Sequence, residues 1–153
     1  MRWTSVRTIN APPDLVFRTV ADPIEFQRAV GADPNVEFLT SRHAGVGARF
    51  RATRANKGRQ MAFEQEVTQY KSGQLVRMVN VTHGVLWDSV FEVHGNDSAS
   101  TLALTMKSKT GNPVRQLMML LISSMVQRAL DKDMDATKGY AERLKGNADA
   151  GNA

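Results

Sequence analysis

The sequence predicts an α+β fold: a curved, seven-stranded antiparallel sheet wrapped around a long C-terminal helix, with two short helices after strand one. Three observations carry that prediction. Seven runs of alternating or β-branched residues are joined by turns short enough to imply antiparallel neighbours. The alternation leaves one sheet face apolar, and that face needs a cover. The one element long enough to supply it is the final segment, where LMMLLISSMVQRALDKDMDATKGY (117–140) starts greasy and ends as an ordinary charged helix.

The elements follow in order. RWTSVRTI (2–9) is rich in β-branched residues and closes at Asn10. In APPDLVFRTVAD, Pro12 and Pro13 suit a first helical turn, and Asp14 complements the positive end of its dipole. Asp22-Pro23 breaks that helix, and IEFQRAV forms a second before the Gly31–Pro34 loop. Six strands follow: NVEFLTS, ARFRATR, RQMAFEQEVTQY, LVRMVNVT, VLWDSVFEV and STLALTMKSK, punctuated by AGVG, ANKG, KSGQ, His83-Gly84 and HGNDSA. Asn112-Pro113 opens the last helix. There is no repeat and no internal boundary, so residues 1–146 read as one domain and 147–153 as a flexible tail.

Alternation assigns the faces. Val85, Trp87, Ser89, Phe91 and Val93 share one side of their strand, with Asp88 and Glu92 on the other. Leu102, Leu104 and Met106 form a second inward stripe, Met61, Phe63 and Val67 a third, and Phe50 a fourth. If Arg77 faces water, Val76, Met78, Asn80 and Thr82 face in, bringing two polar groups into an apolar interior. Trp87, amid an apolar face, is expected inside; Trp3, near a terminus, is expected to be the more exposed.

At 100° per residue, Val114, Leu117, Met118, Leu121, Ile122 and Met125 cluster on one side of the last helix. After Val126 the apolar stripe becomes Val126, Leu130, Met134, Ala141 and Leu144, rotated by roughly a third of a turn. The second half therefore packs on the sheet, while the first half also meets a loop, a partner subunit or a ligand. Methionine adapts to irregular shapes, so Met106, Met118 and Met125, with Met61 and Met78, read as pocket lining.

Composition narrows the function. At 153 residues and 42% hydrophobic, the chain can bury one core. It has no cysteine, hence no disulfide or thiolate metal site. No signal peptide and no integral membrane segment are read from it, since LMMLLI falls far short of the roughly 20 apolar residues a span needs; the reading is cytoplasmic. Net charge is +5, but residues 42–59 alone carry +6, leaving −1 elsewhere. That arm has Phe50 as its one aromatic and reads as a solvated hairpin rather than a nucleic-acid surface. His43, His83 and His94 sit near turns without metal-ligand spacing, and no nucleophile elbow or phosphate loop occurs.

Six stretches in order (TINAPPDLVFRTVADPIEFQ, GVGARFR, EVTQY, LWDSVFEV, TLALTM and DMDATKGYAERL) resemble the START/polyketide-cyclase superfamily, often called SRPBCC. The resemblance spans about residues 3–145. It implies the helix-grip fold and a deep hydrophobic cavity between sheet and helix. Members of that superfamily include lipid carriers, coenzyme-Q-binding proteins, aromatase/cyclases, plant-hormone binders and chaperone activators, so function does not travel with the fold.

The resulting expectation is a binder of a small hydrophobic molecule, a lipid, quinone or polyketide-like compound, with no cofactor and no metal. Its lining would be Phe50, Arg54, Phe63, Met78, Asn80, Trp87, Ser89, Phe91, Leu104, Met106, Leu117, Leu121 and Met125. A cyclase or dehydratase in the same cavity is the alternative, with Asn80, Thr82, Ser89 and Arg54 as its candidate polar groups, although a strand's frayed end is the favoured reading of Arg54. A third reading is a partner-binding module through the Met-rich helix end, a homodimer among its forms. No catalytic residue is assigned.

Overall fold

The computed structural model describes residues 1–151. Its elements are β1 (Arg2–Ile9), α1 (Pro13–Ala21), α2 (Pro23–Ala29), β2 (Val36–Phe38), β3 (Arg49–Asn56), β4 (Arg59–Lys71), β5 (Leu75–Thr82), β6 (Val85–Gly95), β7 (Ser100–Lys109) and α3 (Pro113–Gly151). The strands form one antiparallel sheet in the order β1-β7-β6-β5-β4-β3-β2, so β1 closes against the last strand rather than the next.

Local chemistry sets the boundaries. Asp22 ends α1 and starts α2, its carboxylate accepting from the backbone N–H of Ile24 at 2.9 Å and of Glu25 at 3.4 Å. Lys57-Gly58 (φ 48° and 77°) and His83-Gly84 (φ 51° and 73°) make two-residue hairpin turns with both central residues left-handed, the form that matches strand twist. Asn112 caps α3, accepting from Val114 N at 2.9 Å and Arg115 N at 3.2 Å. The helix then runs 39 residues, through Gly151 and past residue 146, where the reading from composition ended the domain. Residues 152 and 153 of that expected tail lie outside the described residues.

The expected inward face is present. Val76 and Met78 of β5, Phe91 and Val93 of β6, and Leu102 and Leu104 of β7 are buried. Arg77 faces out, donating from Nε to Asp88 Oδ1 at 2.8 Å and from Nη2 to Oδ2 at 2.6 Å. α3 presses Leu130, Met134, Thr137 and Ala141 into this core, and α1 adds Val16, Phe17 and Val20.

β1 reverses an expectation. Trp3 is 4% exposed and belongs to the core, whereas Trp87 is only half-buried and stacks on it with ring centroids 5.9 Å apart. Trp3 is held by α3: its indole N–H donates to Ser123 Oγ at 3.0 Å and Ser123 O at 3.2 Å. Further along the same strand Ser5 Oγ donates to Asp131 Oδ1 at 2.6 Å, and Arg7 Nε to Asp135 Oδ1 at 2.6 Å. The inward side of β1 is thus Trp3, Ser5, Arg7 and Ile9, while apolar Val6 faces out. Polar residues point inward here because the helix side they meet is itself polar.

Two predictions follow from this seam. In single-tryptophan variants, acrylamide should quench the protein that keeps Trp3 less than the one that keeps Trp87, and Trp3→Ala should cost about 3–5 kcal/mol in chemical denaturation. Equal quenching of the two would contradict the packing of β1 on α3. Asp131 is held below the usual carboxylate range first by the Ser5 hydroxyl, then by the Gln127 amide. A carboxylate lowered in the folded state contributes stability above its unfolded pKa and loses it as pH falls through the folded one. Asp131→Ala should therefore melt below the wild type at neutral pH, and the gap should close on acidification below about pH 4 in thermal scans.

Candidate ligand cleft

Register brings the inward side chains together. Across four strands, Met78 faces Ser89, Ser89 faces Met106, and Met106 faces Trp3. One step toward the β5–β6 turn, Asn80 faces Trp87 and Trp87 faces Ser108; one step the other way, Val76 faces Phe91 and Phe91 faces Leu104. This patch contains seven of the thirteen residues singled out from the sequence. It is not an empty hollow: Phe26 of α2 meets Phe91 edge-on at 5.8 Å, and Trp3 covers Trp87.

Open space lies to one side of this patch. A cleft of ≈ 800 Å³ separates β3, β4 and the α2–β2 loop from the middle of α3, lined by Val30, Thr53, Arg54, Met61, Phe63 and Ala136 among others. It exists because α3 is attached unequally. Along β1 the helix is held at Ser123, Asp131 and Asp135. On the opposite side Arg54 Nη1 and Nη2 each lie 3.2 Å from a carboxylate oxygen of Asp133. Among the described residues this fork is the charged link from β3 to α3, so Arg54 lies within a strand that runs on to Asn56 and bridges to the helix rather than fraying. Farther along, Tyr140 Oη donates to Glu25 Oε2 at 2.6 Å and ties α3 to α2.

A second hollow of ≈ 650 Å³ lies between α1, α2 and the β4–β5 turn, beside the same core. Phe17 and Tyr70 line it and meet edge-on at 5.5 Å; His43 stacks flat on Phe38 at 3.9 Å.

The expected lining residues divide three ways. Phe50, Met78, Phe91 and Leu104 are buried in the core, with Phe63, Trp87 and Met106 packed half-buried against it. Ser89 and Asn80 are half-buried, and Asn80 Oδ1 is enclosed without a hydrogen-bond donor among the described residues. Leu117, Leu121 and Met125 correct the sequence reading: at 58%, 75% and 57% exposure they stand outside. In projection they lie opposite Met119, Leu130 and Met134, the side that faces the sheet. α3 is one continuous helix, so its buried stripe continues backward from Leu130 through Val126 and Ser123 to Met119, without the rotation expected at residue 126. The cleft wall supplied by Ala136 and Asp133 had no sequence signal, since alanine and aspartate on a helix face ordinarily mark solvent.

The basic arm is paired in part on the outer face, where Arg51 pairs with Glu37 at 3.0 Å and with Glu64 at 2.6 Å, and Arg49 with Glu64 at 3.7 Å. No group of acidic and histidine side chains that could hold a metal occurs among the described residues, and none of their helices is long and apolar enough to cross a membrane.

A long helix gripped by a curved antiparallel sheet, with two short helices closing one end, is the helix-grip fold. The chain belongs to the polyketide cyclase/dehydrase and lipid transport family, whose model matches residues 2–142. Solved structures agree on the fold. The Zhui aromatase/cyclase from Streptomyces sp. R1128 is 19% identical, with 94% of each chain covered and a TM-score of 0.72. A protein from Thermus thermophilus is 14% identical, covering 94% of this chain and 99% of its own, at 0.73. A point mutant of norcoclaurine synthase from Thalictrum flavum, in complex with a transition-state analogue, is 12% identical, covering 95% and 96%, at 0.69. No curated protein matches the sequence significantly.

The fork across the cleft has a thermodynamic signature. Removing one partner of a half-buried pair strands the other, whereas replacing both with apolar groups does not. Arg54→Met and Asp133→Leu should each lower the melting temperature, and the double variant should recover most of the loss. Additive losses would show that the two side chains do not act as a pair.

Proposed function

We propose that the chain binds a small hydrophobic molecule, lipid-, quinone- or polyketide-like, in the cleft between β3, β4 and α3. The observation that carries this reading is the cleft itself: ≈ 800 Å³, with Val30, Met61, Phe63 and Ala136 as apolar wall, Asp33, Asn35, Thr53, Gln60 and Lys132 as polar wall, and the Arg54–Asp133 ion pair across it. That volume falls within the range of about 300–1,000 Å³ typical of small-molecule sites, and its mixed lining suits a ligand with both apolar and polar parts. Arg54 and Asp133 supply polar groups at the rim. The family's description, which includes lipid transport, supports the same class of ligand.

A cyclase or dehydratase reaction in this cleft is the second reading. The charged pair on its wall and the aromatase/cyclase neighbour favour it. Arg54 could then hold a developing enolate and Asp133 position a hydroxyl, a division of labour that depends on geometry more than on strong acid or base.

Filling the cleft tests the first reading. Ala136→Phe places a ring into open space and should keep the melting temperature within a few degrees, while titration with 1-anilinonaphthalene-8-sulfonate shows at least a roughly tenfold loss of affinity. Leu130→Ala, in the sheet-packed core, should instead cost about 2–5 kcal/mol and leave probe affinity in the folded protein intact. Unchanged probe binding in Ala136→Phe would remove the cleft from consideration.

A further inference from the structure

We propose that one pole of the molecule docks on an anionic phospholipid surface, inserting the outward side of α3's first turns. The antiparallel order brings four chain segments to this pole: the start of β1, the β3–β4 turn, the β5–β6 turn, and the end of β7 with the start of α3. Apolar side chains crowd there without cover. Val114, Leu117, Met118 and Leu121 of α3 are 66%, 58%, 53% and 75% exposed, and Val81 and Leu86 flank the β5–β6 turn at 70% and 38%.

Charge decides the occupant. Residues 1–9, 52–63, 79–87 and 98–130, which build this pole and run back from it, contain no aspartate or glutamate. They present Arg2, Lys57, Arg59, Lys107, Lys109 and Arg115, all exposed. An exposed aliphatic ridge ringed by lysine and arginine matches the boundary of an anionic bilayer, where apolar groups enter the acyl region and cations meet phosphates. A second copy docked about a two-fold axis would bring each cationic ring against its own image. Nucleic acid calls for stacking aromatics, and both tryptophans here are turned into the sheet's inner face.

The pole is also held in shape. Thr110 Oγ1 donates to Gly84 O at 3.1 Å, and the Arg115 guanidinium lies over Gly84, where an added Cβ would meet it at 3.0 Å. The start of α3 and the β5–β6 turn thus touch and share one edge. This inference does not depend on what the cleft holds.

Flotation with vesicles tests it, using phosphatidylcholine alone and phosphatidylcholine containing a quarter phosphatidylglycerol. The wild type should bind the anionic vesicles at least roughly tenfold better, and salt should weaken the binding. Leu121→Asp should abolish it, with the circular dichroism spectrum, melting temperature and dye uptake unchanged. Lys107→Glu with Lys109→Glu should reduce it. Equal binding to both vesicle types, binding that survives Leu121→Asp, or no binding at all would overturn the proposal. So would a dimer in sedimentation velocity that Leu121→Asp dissolves, since the ridge would then be an interface between copies; capture of an acidic protein without vesicle binding would overturn it equally.

Discussion

The structure depends on the seam between β1 and α3. An edge strand with polar inward positions would ordinarily be a weak boundary, open to pairing with another chain. Here each inward side chain with a polar group has a dedicated partner on the helix: Trp3 with Ser123, Ser5 with Asp131, Arg7 with Asp135. Hydrogen bonds of this kind add little individually, but a buried donor left without its acceptor is expensive. The seam therefore fixes both the position of α3 along the sheet and its rotation about its own axis. Once rotation is fixed, Leu130, Met134 and Ala141 enter the core, and Leu121 and Met125 are carried outside.

The unequal attachment of α3 then explains the cleft. The helix runs close along β1, and space remains between it and β3. Arg54 and Asp133 span part of that gap, and the small side chains of Ala129 and Ala136 leave the remainder open. A site formed by divergence between two stiff elements differs from a cavity carved into a core: its width follows the angle of the helix. The filled centre, where Phe26, Phe91, Trp3 and Trp87 meet, keeps the two elements from collapsing together.

Most of the architecture was legible in the sequence because its signals are local. Turn residues, proline positions and two-residue alternation place every strand, and Asn112-Pro113 marks the start of α3 to the residue. The misreadings were non-local. RWTSVRTI alternates with polar residues inward, which is intelligible only once the polar flank of α3 is known. LMMLLI is apolar all round, so periodicity cannot choose its inward side; the later stripe of Leu130 and Met134, projected back along one continuous helix, would have. Asp133 and Ala136 gave no sign of lining a cleft, since nothing in a sequence reports the distance between two elements.

The seam also bears on how the chain can fold. Its hydrogen bonds join residues 120, 126 and 128 positions apart, and the backbone N–H of Asn10 reaches Glu142 across 132. β1, which precedes the other strands of this sheet in the chain, pairs with β7 and packs on α3. It must stay unpaired until nearly the whole chain has left the ribosome, and non-local closure of this kind slows folding. Over the same interval the inner face of the β3–β7 meander lacks its covering helix, a state prone to association. Nascent chains stalled before α3 should therefore be the species on which chaperones act, and the last helix sets the timing of the whole fold.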